Sequence, residues 1–161
     1  MYSKVKIFSH PLHVMLVGFP VAFYTATLIC FIIFHCHLDV FWFKVAVVAN
    51  MAGVVSAAAA ALPGFIDWLN IPSAKGAKKV GMYHMFCNVG ALLLFAVNLF
   101  LVYPKWDEIQ PESIIPIMLT SIGFALTLVA GFLGWTLVQN HHIGISLTIE
   151  QQKAEPMDGV S

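Results

Sequence analysis

The chain has 161 residues, of which 60% are hydrophobic and 10% charged, with a mean hydropathy of +0.85. A single soluble core cannot enclose that much apolar surface, so lipid is the solvent for most of it. Eight lysines, no arginine and eight acidic residues give zero net charge, which excludes a basic footprint for nucleic acid.

Four uncharged or nearly uncharged stretches follow one another: Val14 to Phe34, Val45 to Ile66, Met85 to Tyr103 and Ser113 to Thr148. Each supplies the ~20 apolar residues a helix needs to cross the hydrocarbon core at ~1.5 Å rise per residue. Four passes follow, with helices expected at about 11–35, 43–67, 82–103 and 113–139 in one transmembrane domain, 1–148. The first stretch exceeds the roughly 7 to 15 residues of a signal-peptide core and no small-x-small cleavage site follows it, so it reads as a retained helix. The links His37 to Phe43 and Pro104 to Glu112 read as short solvated turns. The longer link Asp67 to Gly81, with Asn70, Pro72, Gly76 and three lysines, reads as a loop. Residues 149–161 lose all apolar periodicity and read as a disordered cytoplasmic tail. No internal repeat is visible beyond the succession of two hairpins. Cys30, Cys36 and Cys87 lack metal or redox spacing and read as reduced packing residues.

Lysine placement orients the bundle, because positively charged short loops stay cytoplasmic. Lys4, Lys6, Lys75, Lys78, Lys79 and Lys153 fall on the side of the N-terminus, and only Lys44 and Lys105 on the other. The expected topology is therefore N-in and C-in.

Small residues recur on two helices, Gly53, Ala57, Ala61 and Gly64 on the second and Gly123, Thr127 and Gly131, with Ala130 and Gly134, on the fourth. Such stripes let neighbouring helices approach closely and read first as packing seams, although a flat macrocycle also needs small neighbours.

Histidine placement carries more information. Four antiparallel passes bring His10 and His13, Asp67, His84, and His141 and His142 to one membrane face, with Asn88 one turn beyond His84 and able to orient it. His35 and His37 fall on the opposite face and read as interfacial residues without partners. Ionisable groups at bilayer depth tend to face the bundle interior and mark function. Neutral imidazole ligates Fe, Zn, Cu and Ni, and a nearby carboxylate can join the metal or hold a histidine tautomer. The cluster leaves two readings open: a haem b or transition-metal (Fe, Zn or Cu) site drawn from His10, His13, Asp67, His84, His141 and His142, or a hydrogen-bonded polar cap without cofactor.

The motifs His10-Pro-Leu-His13 leading to Phe19-Pro20, Gly64-Phe-Ile-Asp67 followed by Pro72, His84 with Asn88, and Gly131-Phe-Leu-Gly134 followed by Leu137-Val138 and His141 resemble the DUF2231 family of predicted four-helix bacterial membrane proteins. The resemblance runs almost to Ile145. It implies a bacterial inner-membrane protein similar to small redox subunits, some joined to Rieske-type domains, and points to His10, His13, Asp67, His84 and His141. Three positions depart from the family pattern: Gly18 where histidine is common, Trp135 where a glycine is common, and His142 after the last histidine. Trp135 puts bulk on a face that a flat cofactor would need open, and His142 adds a further candidate ligand.

No nucleophile motif, phosphate loop or HExxH sequence is present, and adjacent carboxylates occur only at Asp107 and Glu108 in a solvated turn. Broken helices or midplane polar groups of the kind transporters use are not evident. The sequence thus predicts an all-α, four-helix transmembrane bundle that acts as an electron-transfer or accessory subunit rather than a stand-alone enzyme. Its expected partners are the lipid bilayer and a redox partner or further copies of itself; a cofactor-free assembly subunit is the alternative. A reporter fused after Ser161 should be cytoplasmic and one inserted at Asp107 periplasmic; reporters on the same side would rule out four passes.

Overall fold

The computed structural model describes residues 6–7, 10–71, 76–143 and 148, with backbone alone for Lys6, Ile7 and His10. A two-residue antiparallel pairing of β1 (Lys6–Ile7) with β2 (His10–Pro11) leads into α1 (Leu12–Leu16) and α2 (Gly18–His37). α3 covers Val40–Leu69, α4 Ala77–Val102 and α5 Ile114–Gln139, with a 3₁₀ turn at Tyr103–Lys105. Four spans are long and apolar enough to cross a membrane, α1 and α2 together forming the first. The fold is an all-α bundle, as the sequence predicts. The tail 149–161 and Lys4 lie outside the described residues.

Local chemistry sets the helix ends. Pro20 lacks the N–H that would bond the Leu16 carbonyl, and the first span breaks one residue after Leu16, at Val17. Leu38 closes α2 in the left-handed region at φ 57°, its N–H bonded to Phe34 O at 2.7 Å. The carboxylate of Asp39 then accepts from Phe41 N at 2.9 Å and opens α3, so a two-residue link suffices. Glu112 does the same for α5 through Ile115 N at 2.9 Å.

α4 begins at Ala77, five residues before the sequence suggests, and its first turn includes Lys78 and Lys79. Gly81, which reads as the end of a loop, is instead a buried contact inside the helix. A Cβ there would stand 2.9 Å from Trp68 Cδ1. The Trp68 indole donates to Lys78 O at 3.2 Å, while the Lys78 ammonium lies 4.9 Å from that ring and donates to Leu69 O. Tertiary contact with the end of α3 thus holds the lysine-bearing turn helical.

α2 packs most extensively on α3 and α4 on α5, giving two hairpins that then pack on each other through α3 with α4 and α2 with α5. At one end of the bundle lie Phe31, Phe34, Phe43, Ala46, Val47 and Val102, all at most 1% exposed. His35 stands at this end, and its Nδ1 is 2.9 Å from Ser113 Oγ. It therefore has a partner, contrary to the sequence reading, because the start of α5 returns beside the end of α2. Cys30 belongs to this core, whereas Cys36 is exposed and has no packing role.

Deeper in the bundle Thr27, Asn50, Asn98 and Thr120 are fully buried. The Asn50 amide, turned to match its neighbours, donates to Phe95 O at 3.2 Å and accepts from Asn98 Nδ2 at 2.8 Å. Thr27 and Thr120 donate to backbone carbonyls four residues back, at 2.7 and 2.6 Å. This asparagine pair joins the two hairpins in a medium that offers no competing water.

The hairpins also repeat. Residues 71 apart on the first and third spans, and 70 apart on the second and fourth, occupy equivalent places. Gly53 lies against the Tyr24 ring and Gly123 against the Phe95 ring; Cβ atoms there would come within 2.7 and 2.8 Å of those rings. Tyr24 and Phe95 in turn stack on one another at 3.6 Å and 5°. When equivalent residues face each other, a two-fold axis runs between them, here along the bundle because both hairpins point the same way. The sequence reading of no repeat beyond the hairpins is corrected accordingly. Single glycines and aromatics at so long an interval leave no visible self-similarity.

Gly53→Val should displace the Tyr24 ring and cost about 1–3 kcal/mol, as overpacking does. Val55→Leu, at a position 65% exposed, should be silent. Thermal unfolding in detergent measures both, and equal stability of the two variants would show that the glycine contact is incidental.

Candidate functional site: two histidines across an apolar cavity

His13, in the first turn of the first span, places its Nδ1 2.9 Å from the Ala60 carbonyl of α3. His84, near the start of α4, places its Nδ1 2.8 Å from the Ala130 carbonyl of α5. A carbonyl only accepts, so each Nδ1 carries a proton, and in the neutral ring Nε2 is left as the acceptor. Four residues beyond each carbonyl stands a glycine. A Cβ on Gly64 would lie 2.7 Å from the His13 ring and one on Gly134 3.1 Å from the His84 ring. Only glycine lets the imidazoles lie this close to the helix they bond. Pro63, beside Gly64, removes the N–H that would bond the Ala59 carbonyl and loosens α3 where His13 inserts.

The two rings meet edge-on, with centroids 6.2 Å apart and planes at 89°. His84 Nε2 meets the Asn88 amide nitrogen at 3.1 Å, and the same amide donates to His84 O at 2.9 Å. The sequence reading of Asn88 as a partner of His84 matches this contact. Among the described residues nothing bonds His13 Nε2.

Both rings line a cavity of about 490 Å³ set among all four spans. The small stripe of α3 divides its roles. Gly53 packs on Tyr24, while Ala57, Ala60, Ala61 and Gly64 reach the cavity wall, as do Thr127, Gly131 and Gly134 of α5. A Cβ on Gly131 would meet nothing within 4 Å, so that face is open. Trp135 lines the cavity beside Gly131; it is 57% exposed and stacks on Phe132. Gly18 is exposed with open space around it and does not line the cavity.

Of the six residues singled out from sequence, the structure brings His13, His84 and Asp67 to this cavity. His141 sits beyond its rim, 3.8 Å from where a Gly76 Cβ would stand, and His142 follows at φ 52°; neither lines the cavity. The His10 side chain lies outside the described residues. Among the described residues no three His, Cys, Asp or Glu side chains are grouped to hold a metal ion. What sequence reasoning missed is Tyr24 at the cavity floor and the paired carbonyl and glycine under each histidine. The spacing Ala-x-x-x-Gly on both α3 and α5 is the signal that could have found the latter.

Fold and site together define a four-span integral membrane protein with a paired-histidine cavity on its internal two-fold axis. The chain matches the family described as predicted membrane protein (DUF2231) over residues 9–147, and it belongs to that family. No curated protein and no solved structure matches it.

Gly64→Ala should drive the His13 ring from the Ala60 carbonyl, whereas Gly18→Ala should leave it in place. Imidazole ¹⁵N spectra read this directly: the Nδ1-protonated signal of His13 should be lost in the first variant and kept in the second. Retention in both would mean the glycine does not position the ring.

Proposed function

We propose that the protein is a haem-binding electron-transfer subunit of the bacterial cytoplasmic membrane, in which His13 and His84 would hold the haem iron. The observation that carries the reading is the 6.2 Å separation of two imidazoles whose Nδ1 protons are both held by backbone carbonyls. Two imidazoles sharing one metal through ~2.0 Å bonds have ring centres roughly 6 Å apart. Fixing Nδ1–H is the usual way a protein selects the Nε2 lone pair for a metal and sets the ring's orientation. The residues present fit a haem: two nitrogen donors would suffice to hold its iron, the cavity falls within the ~300–1,000 Å³ of cofactor sites, and Gly131 leaves one wall open. A bare Zn or Cu ion would want a third or fourth ligand.

When bound, the haem supplies a one-electron couple. The chain's own part is to bind and orient it: the two carbonyls hold the imidazoles, the glycines admit them, and Asn88 occupies His84 Nε2 until a stronger partner takes its place. Asp67 lines the same cavity. His10, His141 and His142 fall outside the ligand set of this reading, and a redox partner completes the function. Cytoplasmic termini, inferred from the lysine bias, would put the haem near the cytoplasmic face.

The Asn88–His84 bond favours a second reading, a cofactor-free assembly subunit whose imidazoles tie the helices together. Purified protein separates the two. A Soret band lost in His13→Ala and His84→Ala and unchanged in His35→Ala is expected for haem. A colourless wild type that takes up no added haem, or equal sensitivity to His35 and His84, would favour the structural subunit.

A further inference from the structure

The two histidines are equivalent in position but not in partners. The interval of 71 residues that relates His13 to His84 also relates Val17 to Asn88, and both of these line the cavity. Each stands four residues beyond its histidine, about one helical turn; the Val17 N–H bonds His13 O at 3.1 Å, so the turn is formed there as well. In the second hairpin the Asn88 amide nitrogen meets His84 Nε2 at 3.1 Å. In the first, Val17 has no donor to offer His13.

Anchoring the ring does not need the amide. His13 is held by its Nδ1 bond to Ala60 O and by the space at Gly64, as His84 is held by Ala130 O and Gly134, yet His13 has no donor at Nε2 among the described residues. What the amide does is occupy a lone pair. Nε2 of a neutral imidazole has one acceptor position in the ring plane, so a hydrogen-bond donor and a metal ion there exclude each other. The same amide donates to His84 O at 2.9 Å, a bond within its own turn that does not involve Nε2. Asn88 therefore stays beside the ring when it is displaced and stands ready to take Nε2 back.

Resting on the haem reading, we propose that Asn88 makes the pair unequal: His13 is the standing holder of the haem iron and His84 the releasable one, its Nε2 contested by the Asn88 amide. A polar residue beside a metal-binding imidazole ordinarily raises affinity by bonding the ring's other nitrogen. Here that nitrogen, Nδ1, is already taken by the Ala130 carbonyl, and the amide meets the atom that would bind the metal. Its effect is the reverse. It lowers affinity, and it suits the site to taking up and giving back its haem rather than keeping it.

Full-length protein in detergent is titrated with iron protoporphyrin IX as wild type, as Asn88→Val, which copies the first hairpin, and as Val17→Asn, which copies the second. The expected result is binding about fivefold tighter in Asn88→Val and about fivefold weaker in Val17→Asn, the worth of one neutral hydrogen bond. Binding no tighter in the former, or no weaker in the latter, overturns the proposal and leaves the haem reading standing. Imidazole ¹⁵N spectra of the haem-free Asn88→Val protein should keep the Nδ1-protonated signal of His84. Its loss would show that Asn88 positions the ring, and would likewise overturn the assignment. Failure of wild type to take up the porphyrin, with no Soret shift, overturns both readings.

Discussion

The bond from an imidazole N–H to a helix carbonyl, made once in each hairpin, is the contact on which the functional end of this molecule depends. In lipid a backbone carbonyl already satisfied within its helix can still accept a second proton, and a neutral imidazole there has no water to turn to. His13 and His84 are thus anchored to the neighbouring helix at 2.9 and 2.8 Å rather than to a loop. Everything near them follows: a glycine one turn on, because a side chain would crowd the ring; small residues along the wall, because the helices must stand close; and a cavity that both rings line, each held back against its own hairpin.

The rest of the bundle supports that arrangement in layers. The aromatic core around Phe31, Phe34 and Phe43 closes the far end, and the Asn50–Asn98 bond joins the hairpins below the cavity floor. A polar bond of this kind fixes helix rotation more than it adds stability, since membrane hydrogen bonds are individually modest at ~0.6–2 kcal/mol. Rotation is what must be fixed, because turning α4 by a third of a turn would take His84 away from α5. The lysine-bearing start of α4, gripped by Trp68, holds the other end of the same helix.

Much of this was legible in the sequence. Uninterrupted apolar length gave the four spans, and antiparallel passage alone was enough to bring His13, Asp67 and His84 to one end. Helix starts were less legible, since Gly81 reads as punctuation until Trp68 is seen to need its missing side chain. Sequence could not separate His141 from His84, because both sit at the same end and only packing decides which ring points inward. The partner of His35 was hidden for a similar reason: Ser113 lies 78 residues away and is brought near only by the α5 turn. Asn50 and Asn98 stand on different hairpins, and only their packing side by side brings the two amides together.

The two-fold relation makes each hairpin half of an interface with itself. A hairpin like the first, pairing with its own copy, would stack two tyrosines where Tyr24 and Phe95 meet; one like the second would stack two phenylalanines. Only the fused, unequal pair has a single hydroxyl there, and likewise one asparagine of its own kind from each half in the layer below, Asn50 from α3 and Asn98 from α4. Joining two near-copies in one chain thus gives the cavity a direction. A ligand that is itself lopsided meets two distinguishable sides and can settle in one orientation, which a symmetric pair of hairpins could never impose.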